Sequence, residues 1–361
     1  MTRVSGLARL LGAAAVGAAL IAGSAFAQDK GEVRVHIGGG DWADANFESY
    51  VEPFEKETGI KVIAVRDWTN LAMLKLMIEN DNVEIDVGGM PYIDYLTAAK
   101  SGWLEKIDYS VFDAKTLDGL SDRDKLEYGA GYIYAAYVLA YNTEALPEGK
   151  RPASWAEFWD VEKFPGSRTM RVGVYGSGPW EEALIADGVP MDQLYPLNID
   201  RVFASLDKIK PHITKWWKEG AEGQQVFADG IADMGHVFNG RIGNLQKLGM
   251  PIAIEWNQAK MQVDYLVVPK GAKNRENAMK YVAFALRADR QGQFSTKIPY
   301  GPSNTHAYEH MPEDVAKNLP THPDNAKRMF VMNGDWYKEE RPDGKTNQEY
   351  LIERWNTWIL E

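Results

Sequence analysis

The chain of 361 residues contains no cysteine. It can therefore form no disulfide, cannot carry a lipid on an N-terminal cysteine and offers no thiolate to a structural zinc site. Its six histidines are scattered over positions 36, 212, 236, 306, 310 and 322. None of them falls into a metal-binding spacing such as H-E-x-x-H. We expect no metal, no cofactor and a fold that is stabilised by its hydrophobic core.

Long apolar runs are also missing beyond residues 1–27. That segment combines two arginines, an apolar stretch at 10–22 and an Ala-Phe-Ala ending at 25–27, a pattern that predicts a cleavable secretory signal peptide. The apolar stretch is too short for a membrane span, and no later stretch approaches the roughly 20 apolar residues that a transmembrane helix needs. We expect an exported, soluble protein that begins near Gln28 and has no lipid anchor.

Basic residues are in the minority. The chain has 40 Lys and Arg against 51 Asp and Glu, a net charge of −11, which becomes −13 without residues 1–27 because these carry two arginines and no acid. Such a charge disfavours binding to nucleic acid or to an anionic membrane and suits a cationic or zwitterionic solute. The twelve Trp and 17 Tyr are a high aromatic content. We expect some of them to line a recognition cleft.

Strand and helix patterns alternate, which predicts an α/β fold with more than one hydrophobic core. The opening is a predicted βαβ unit: a strand at 32–37, a helix at 47–56 and a strand at 60–65. Its turn, Gly38-x-Gly40-x-x-Ala43, formally matches a dinucleotide fingerprint, but Trp42 would crowd a pyrophosphate there. We expect the turn to project Trp42 over a cleft; the alternative is that Trp42 fills the core beneath it.

Later patterns complete the predicted architecture. A β-prone run at Gly129–Asn142 is long enough to pass from one lobe to another. The other strands are predicted at 84–88, 168–174, 231–238 and 263–269. Helices are predicted at 70–79, 95–101, 202–209 and 274–286, and an amphipathic, helix-like segment at 213–219.

Asp264 stands near the start of the apolar strand predicted at 263–269. A buried carboxylate is costly unless it is paired, and Arg241, expected in the loop after the apolar run at 234–238, is a candidate partner. Two possibilities stay open at this point: the two residues pair with each other, or each binds a ligand.

Six short segments follow one another over nearly the whole mature chain: FEKETGIKV (54–62), GWLEKID (102–108), AYNTEAL (140–146), SWAEFWD (154–160), DYLVVPKGAKNRENAMKYVAFAL (264–286) and IPYGPSN (298–304). Each is weak alone. In this order they resemble the periplasmic solute-binding components of ABC importers, specifically the spermidine/putrescine-binding type.

The resemblance implies a type II periplasmic-binding-protein fold, in which two α/β lobes joined by crossing strands close on a ligand. Residues 28–140 with 266–307 would form the first lobe, and residues 141–265 with 308–361 the second. It also implies a monomer in the periplasm, without catalytic residues, that delivers a small solute to a membrane permease. The alternative is an exported enzyme on the same two-lobed scaffold, because catalytic triads are spatial and can lack a local motif.

The resemblance also implies ligand contacts. The cleft aromatics of the family match Trp42, Tyr92 and Phe238, and the acid that receives an amine matches Asp264. With these, the candidate ligand-binding set is Trp42, Trp68, Tyr92, Tyr175, Phe238, Arg241 and Asp264.

The chain departs from the polyamine-binding pattern in one respect. Two acids of that pattern fall on about Tyr175 and Gly178, while Arg241 adds a guanidinium. If Asp264 holds an ammonium and Arg241 a carboxylate, the ligand is a zwitterion such as γ-aminobutyrate or another ω-amino acid rather than a polyamine such as putrescine or spermidine. The competing interpretation is an ion pair between Asp264 and Arg241 that only sets the geometry of the lobes.

Overall fold

The computed structural model describes residues 30–174 and 177–361. The predicted signal peptide at 1–27 and the candidate residue Tyr175 lie outside the described residues. The α/β architecture predicted from the alternating patterns is present throughout the part that is described.

The strands β1 to β11 are Glu32–His36, Lys61–Val65, Gly88–Pro91, Lys125–Leu126, Gly129–Asn142, Arg168–Arg171, Ile213–Trp217, Met234–Phe238, Ile252–Val267, Gly301–Pro302 and Phe330–Val331.

The helices α1 to α16 are Gly40–Asn46, Glu52–Thr58, Leu71–Glu79, Tyr92–Lys100, Ala114–Gly119, Trp155–Trp159, Trp180–Ala186, Ile199–Ile209, Gly220–Ala228, Asn239–Lys247, Arg275–Ala285, Ala288–Lys297, Glu313–Lys317, Pro323–Ala326, Gly334–Lys338 and Asn347–Trp358. A π-helical turn, Phe47–Val51, joins α1 to α2. Short 3₁₀ turns lie at Tyr109–Val111, Asp122–Asp124, Met191–Gln193, Lys210–His212 and Thr305–His310. Within the described chain, no helix has both the length and the apolar character that crossing a bilayer requires.

The strands form a parallel pair, β1 and β2, and a larger mixed sheet with the order β11-β9-β5-β8-β6-β7. Two short strands, β4 and β10, also pair with β5, and β3 pairs with β9. The long strands β5 and β9 are antiparallel, with Ile133 opposite Asp264, Ala135 opposite Gln262 and Tyr137 opposite Lys260. Because side chains alternate across a strand, Lys260, Gln262 and Asp264 share one face of β9.

The βαβ unit predicted at the start of the mature chain is present in the structure. Strands β1 and β2 are parallel and in register from Glu32 opposite Lys61 to His36 opposite Val65, as the predicted βαβ unit requires. Helix α2 ends at Gly59, whose φ of 70° is the left-handed conformation that favours glycine at a helix end. The helical segment begins at Gly40, earlier than predicted, because it follows the glycine turn directly.

Three local predictions are wrong. Residues 84–88 do not form the predicted strand; β3 begins at Gly88, because Asp86 instead binds the backbone N–H groups of Arg34 at 2.7 Å and of Asn274 at 2.9 Å. The segment at 213–219 contains a strand, β7, rather than a helix. Arg241 lies in the first turn of α10, not in a loop.

The buried apolar residues form separate clusters. One cluster draws on residues 33–62, 87 and 107–135 and on 266–300. Another draws mainly on residues 139–234 and 330–358. Since each cluster combines segments that are distant in the chain, the polypeptide passes between the two regions more than once.

Candidate functional site

A cavity of about 300 Å³ lies over the middle of strands β5 and β9. Ile133 and Ala135 of β5 and Gln262 and Asp264 of β9 line it, and these residues pair across the two strands. This size suits a small organic solute. The carboxylate of Asp264 therefore enters the cavity from a rigid sheet rather than from a loop.

Aromatic rings form one wall of the cavity. The Trp42 ring lies 5.7 Å from Trp68, 5.3 Å from Phe294 and 5.5 Å from Tyr300. Gly38 permits this arrangement because its φ is +69° and a Cβ there would lie 2.7 Å from the Trp42 ring. Trp42 thus belongs to the hydrophobic core and also lines the cavity, while Trp68 remains 48% exposed.

Three carboxylates line the cavity, those of Asp94, Asp264 and Glu219. The Oδ1 atom of Asp264 is shielded from solvent and has no hydrogen-bond partner. Burial, together with the negative charge of Asp94, raises the pKa of Asp264 to about 7, against the opposing effect of Arg171. Burial also raises the pKa of Asp94, while Lys338 opposes that shift. Asp94 thus has a nearby cation in Lys338, whereas the shielded oxygen of Asp264 has no hydrogen-bond partner.

The basic residues of the cavity are Arg241, Arg171 and Lys218. Arg241 belongs to the first turn of α10, and the preceding buried Asn239 fixes that turn. The side chain of Asn239 accepts a hydrogen bond from the N–H of Ala136 at 2.9 Å and donates one to the carbonyl of Pro299 at 2.6 Å. The helical turn that carries Arg241 is therefore held in a fixed position at the edge of the cavity.

Arg171 is the last residue of strand β6, and its guanidinium packs against three aromatic rings. Its guanidinium carbon lies 5.2 Å from the ring centre of Tyr137, 5.4 Å from Phe238 and 5.6 Å from Trp217. Its Nη1 donates to the hydroxyl of Ser177 at 3.0 Å. The cavity thus contains two guanidinium groups that can contact a carboxylate in a forked, charge-assisted geometry.

Asp264 and Arg241 are not paired with each other. The shielded oxygen of Asp264 has no partner, and Arg241 enters no ion pair among the described residues. Both side chains nevertheless line the same cavity. The interpretation as a structural ion pair between Asp264 and Arg241 therefore does not fit this geometry.

The structure brings five of the seven predicted site residues into this one cavity: Trp42, Trp68, Phe238, Arg241 and Asp264. Tyr92 lies elsewhere. It lines a second cavity of about 220 Å³, packs 5.6 Å from the Tyr265 ring and donates to Asp335 at 3.3 Å. The seventh residue, Tyr175, lies outside the described residues.

The cavity residues that the sequence did not predict include Asp94, Arg171, Lys218, Glu219, Gln262 and Tyr300. Arg171 was missed because the strand was predicted to run to residue 174, whereas β6 ends at Arg171 and so places it at the carboxyl end, where ligands bind in open α/β sheets. Gln262 was missed because the strand was predicted to begin at residue 263, whereas β9 begins at Ile252 and places Gln262 on the same face as Asp264. Asp94 was missed because α4 begins earlier than predicted and so includes it in its first turn.

No group of three or more His, Cys, Asp or Glu side chains in the described residues is arranged to hold a metal ion. The chemistry that the cavity offers is recognition: an aromatic wall, three acids, two guanidinium groups and one lysine. These suit a small charged solute that carries an apolar segment.

Comparison with known proteins agrees with this geometry. Residues 49–323 match the family described as bacterial extracellular solute-binding protein. The chain belongs to that family. The resemblance to solute-binding proteins is thereby confirmed, and the family consists of binding proteins rather than enzymes.

Individual members of the solute-binding family show the range of its ligands. The chain is 33% identical to a γ-aminobutyric acid-binding protein of Pseudomonas aeruginosa, over 93% of each chain. It is 27% identical to the spermidine/putrescine-binding periplasmic protein of Escherichia coli, over 86% of this chain and 88% of that one. The crystal structure of an ABC transporter substrate-binding protein from Bradyrhizobium japonicum has a TM-score of 0.83 and 32% identity, over 91% of this chain and 99% of the other. These likenesses also confirm the expected fold class.

Proposed function

We propose that this chain is a periplasmic binding protein that takes up an ω-amino acid, such as γ-aminobutyrate, and delivers it to the membrane permease of an ABC importer. One observation carries the proposal: Asp264 and Arg241 line the same cavity, and neither neutralises the other. A zwitterion supplies an ammonium for the first and a carboxylate for the second.

The second acid and the second guanidinium fit the same ligand. An ammonium has three N–H donors, so the neighbouring carboxylates of Asp264 and Asp94 can share it. A carboxylate has two oxygens and can contact both Arg171 and Arg241. The aromatic wall of Trp42, Trp68 and Tyr300 would cover the methylene groups between the two charged ends.

A polyamine fits this cavity less well. Its two or more ammonium groups need separated acids, whereas Asp94 and Asp264 interact closely enough for Asp94 to raise the pKa of Asp264. The third acid of the cavity, Glu219, is next in the chain to Gly220, which lies beside the guanidinium of Arg241. The guanidinium groups of Arg171 and Arg241 would repel the far ammonium. The likeness to a γ-aminobutyric acid-binding protein supports the same choice of ligand.

We also propose the predicted lobes, residues 28–140 with 266–307 and residues 141–265 with 308–361, as the bodies that close on the ligand. The two separate hydrophobic clusters support this division. Strands β5 and β9 would be the connections between the lobes, since residues of both strands occur in more than one cluster.

Calorimetric titration with three linear ligands tests the choice of substrate. γ-Aminobutyrate carries one ammonium and one carboxylate, putrescine carries two ammonium groups, and glutarate carries two carboxylates. We expect γ-aminobutyrate to bind at least about tenfold more tightly than either of the others, a difference of about 1.4 kcal/mol or more. Tighter binding of putrescine would disprove the proposal in favour of a polyamine carrier.

A further inference from the structure

A cluster of ionisable side chains lies fully buried beside the cavity without lining it. It consists of Lys260 on β9, Glu181 and Glu182 in the first turn of α7, and His236 on β8. All four side chains have no solvent exposure. Charged side chains are rarely buried this completely unless they have a specific role or are fully paired.

The ammonium of Lys260 holds this cluster together. Its Nζ donates to Glu181 at 2.9 Å, to Glu182 at 3.0 Å and to the carbonyl of Gly178 at 2.8 Å. These contacts use all three N–H donors of an ammonium. Lys260 thus ties strand β9 to the segment that leads into α7.

The two glutamates are satisfied from other sides as well. Glu182 contacts Nε2 of His236 at 3.1 Å, and Glu181 accepts hydrogen bonds from the hydroxyls of Tyr337 and Tyr195. The contacts to Lys260 and His236 lower the pKa of Glu182 to about 2 in spite of burial, while burial lowers the pKa of His236. Two carboxylates against one ammonium leave the cluster with a net negative charge.

One aromatic ring connects this cluster to the basic side of the cavity. Nζ of Lys260 lies 5.1 Å from the ring centre of Tyr137, and the His236 ring stacks on the same ring at 4.8 Å. The guanidinium carbon of Arg171 lies 5.2 Å from that ring. The cluster and Arg171 therefore contact the same ring, that of Tyr137.

The backbone provides a second connection. Gly178, whose carbonyl binds Lys260, directly follows Ser177, whose hydroxyl accepts from Arg171. Both Ser177 and Arg171 line the cavity. A single ammonium thus fixes the turn that bears Ser177 and lies next to the ring that supports Arg171.

We propose that Lys260 is a positioning residue for ligand recognition: through Gly178 and the two glutamates it holds Ser177 and Arg171 where they meet the carboxylate of the ligand. The assignment rests on the proposed function, because it takes the ligand to carry a carboxylate. Lys260 does not touch the ligand itself.

The test compares three variants by calorimetry. Lys260→Met removes the ammonium but leaves two acids buried without their cation. Combining Lys260→Met with Glu181→Gln and Glu182→Gln removes all three charges and so avoids an uncompensated buried charge. Lys247→Met is the matched control, since Lys247 also donates to backbone carbonyls, those of Thr296 and Lys297, but does not line the cavity.

Each protein is titrated with γ-aminobutyrate and with 4-aminobutanol, which keeps the amine and the chain but lacks the carboxylate. In the triple variant we expect a loss of about tenfold or more for γ-aminobutyrate and less than about twofold for 4-aminobutanol, with no change in the control. An equal loss for both ligands, or none for γ-aminobutyrate, would overturn the positioning role.

The wild-type titration separates this inference from the proposed function. If the wild type ignores γ-aminobutyrate, the proposed function fails, and the position of Arg171 is then compared directly in crystal structures of the wild type and the triple variant. The inference predicts that Arg171 and Ser177 shift away from the Tyr137 ring in the variant. Unchanged positions of both residues would contradict it.

Discussion

Two pairs of acids lie near the ligand cavity and differ in one respect. Glu181 and Glu182 are fully buried, and a lysine of the protein lies between them. Asp264 and Asp94 line the cavity, and the shielded oxygen of Asp264 has no partner at all. The first pair shares an internal cation, whereas the shielded oxygen of Asp264 in the second pair has no partner within the fold.

The difference appears in the pKa values. The positive charges of Lys260 and His236 hold the pKa of Glu182 at about 2 although burial opposes this. Burial and the charge of Asp94 raise the pKa of Asp264 to about 7. The pKa values of two buried carboxyl groups in one protein are thus shifted in opposite directions, and the presence of an internal cation decides the direction.

Removing the internal cation has the largest expected effect. Lys260→Met leaves the buried acids without a counter-charge, and we expect the free energy of unfolding to fall by about 3–5 kcal/mol. Chemical denaturation at pH 7.5 measures this loss. A loss below about 1 kcal/mol would mean that the cluster does not depend on its ammonium.

Changing the unpartnered acid has opposite effects on stability and binding. Asp264→Asn removes a buried charge that lacks a partner, so at pH 8 we expect the ligand-free protein to gain about 1–3 kcal/mol of stability. The same change should weaken γ-aminobutyrate binding by about 2–5 kcal/mol, because the ammonium loses its ionic partner.

The sign of the stability gain follows from the raised pKa of Asp264. Ionisation is harder in the folded chain than in the unfolded chain, so the wild type loses stability as the pH rises from about 4 through 7. Thermal denaturation of both proteins at pH 4 to 8 should show the advantage of the variant growing with pH. A constant difference would show that the charge of Asp264 is not its cause.

Truncating a guanidinium distinguishes the two ends of the ligand. Arg241→Ala should weaken γ-aminobutyrate binding by about 1.5–3 kcal/mol, the usual value of hydrogen bonds to a charged group, without weakening the binding of putrescine. Arg66→Ala is the control, since Arg66 forms an exposed pair with Asp44 and neither residue lines the cavity. Calorimetry that finds equal losses for both ligands would argue against a carboxylate site at Arg241.

The pH dependence of affinity is the smallest expected effect. Protonated Asp264 cannot pair with an ammonium, so below its pKa of about 7 the affinity should fall by up to about tenfold per pH unit. The groups around the acid that also bear on this titration are Asp94 and Arg171. Titrations at pH 5.5, 6.5 and 7.5 measure the trend, and Asp264→Asn should lack it.

The sequence predicted local structure best where a pattern is long. The strand at Gly129–Asn142 has the predicted bounds, and the opening βαβ unit is present. Segments with short or mixed patterns were assigned less well. Residues 213–217 form a strand, with Trp217 buried and Trp216 packed on Trp355, because β7 pairs with β6. That pairing depends on distant residues, which a local pattern does not reveal.

The residues of the candidate site were likewise predicted best where a local sequence pattern indicated them. Asp264 was found because an acid interrupts an apolar strand, and Arg241 because it follows another. Asp94 and the support of Arg171 by the Lys260 cluster depend on contacts between segments about 80 residues or more apart, such as Lys260 with Gly178. Charge in a local pattern shows that a residue is unusual, but only the fold shows whether another residue neutralises it.

The crystal structure of the protein with γ-aminobutyrate tests the central claim most directly. The account predicts one bound molecule whose ammonium lies within hydrogen-bond distance of Asp264 and whose carboxylate contacts Arg241. A structure in which Asp264 and Arg241 pair with each other, or in which the ligand binds outside this cavity, would contradict it.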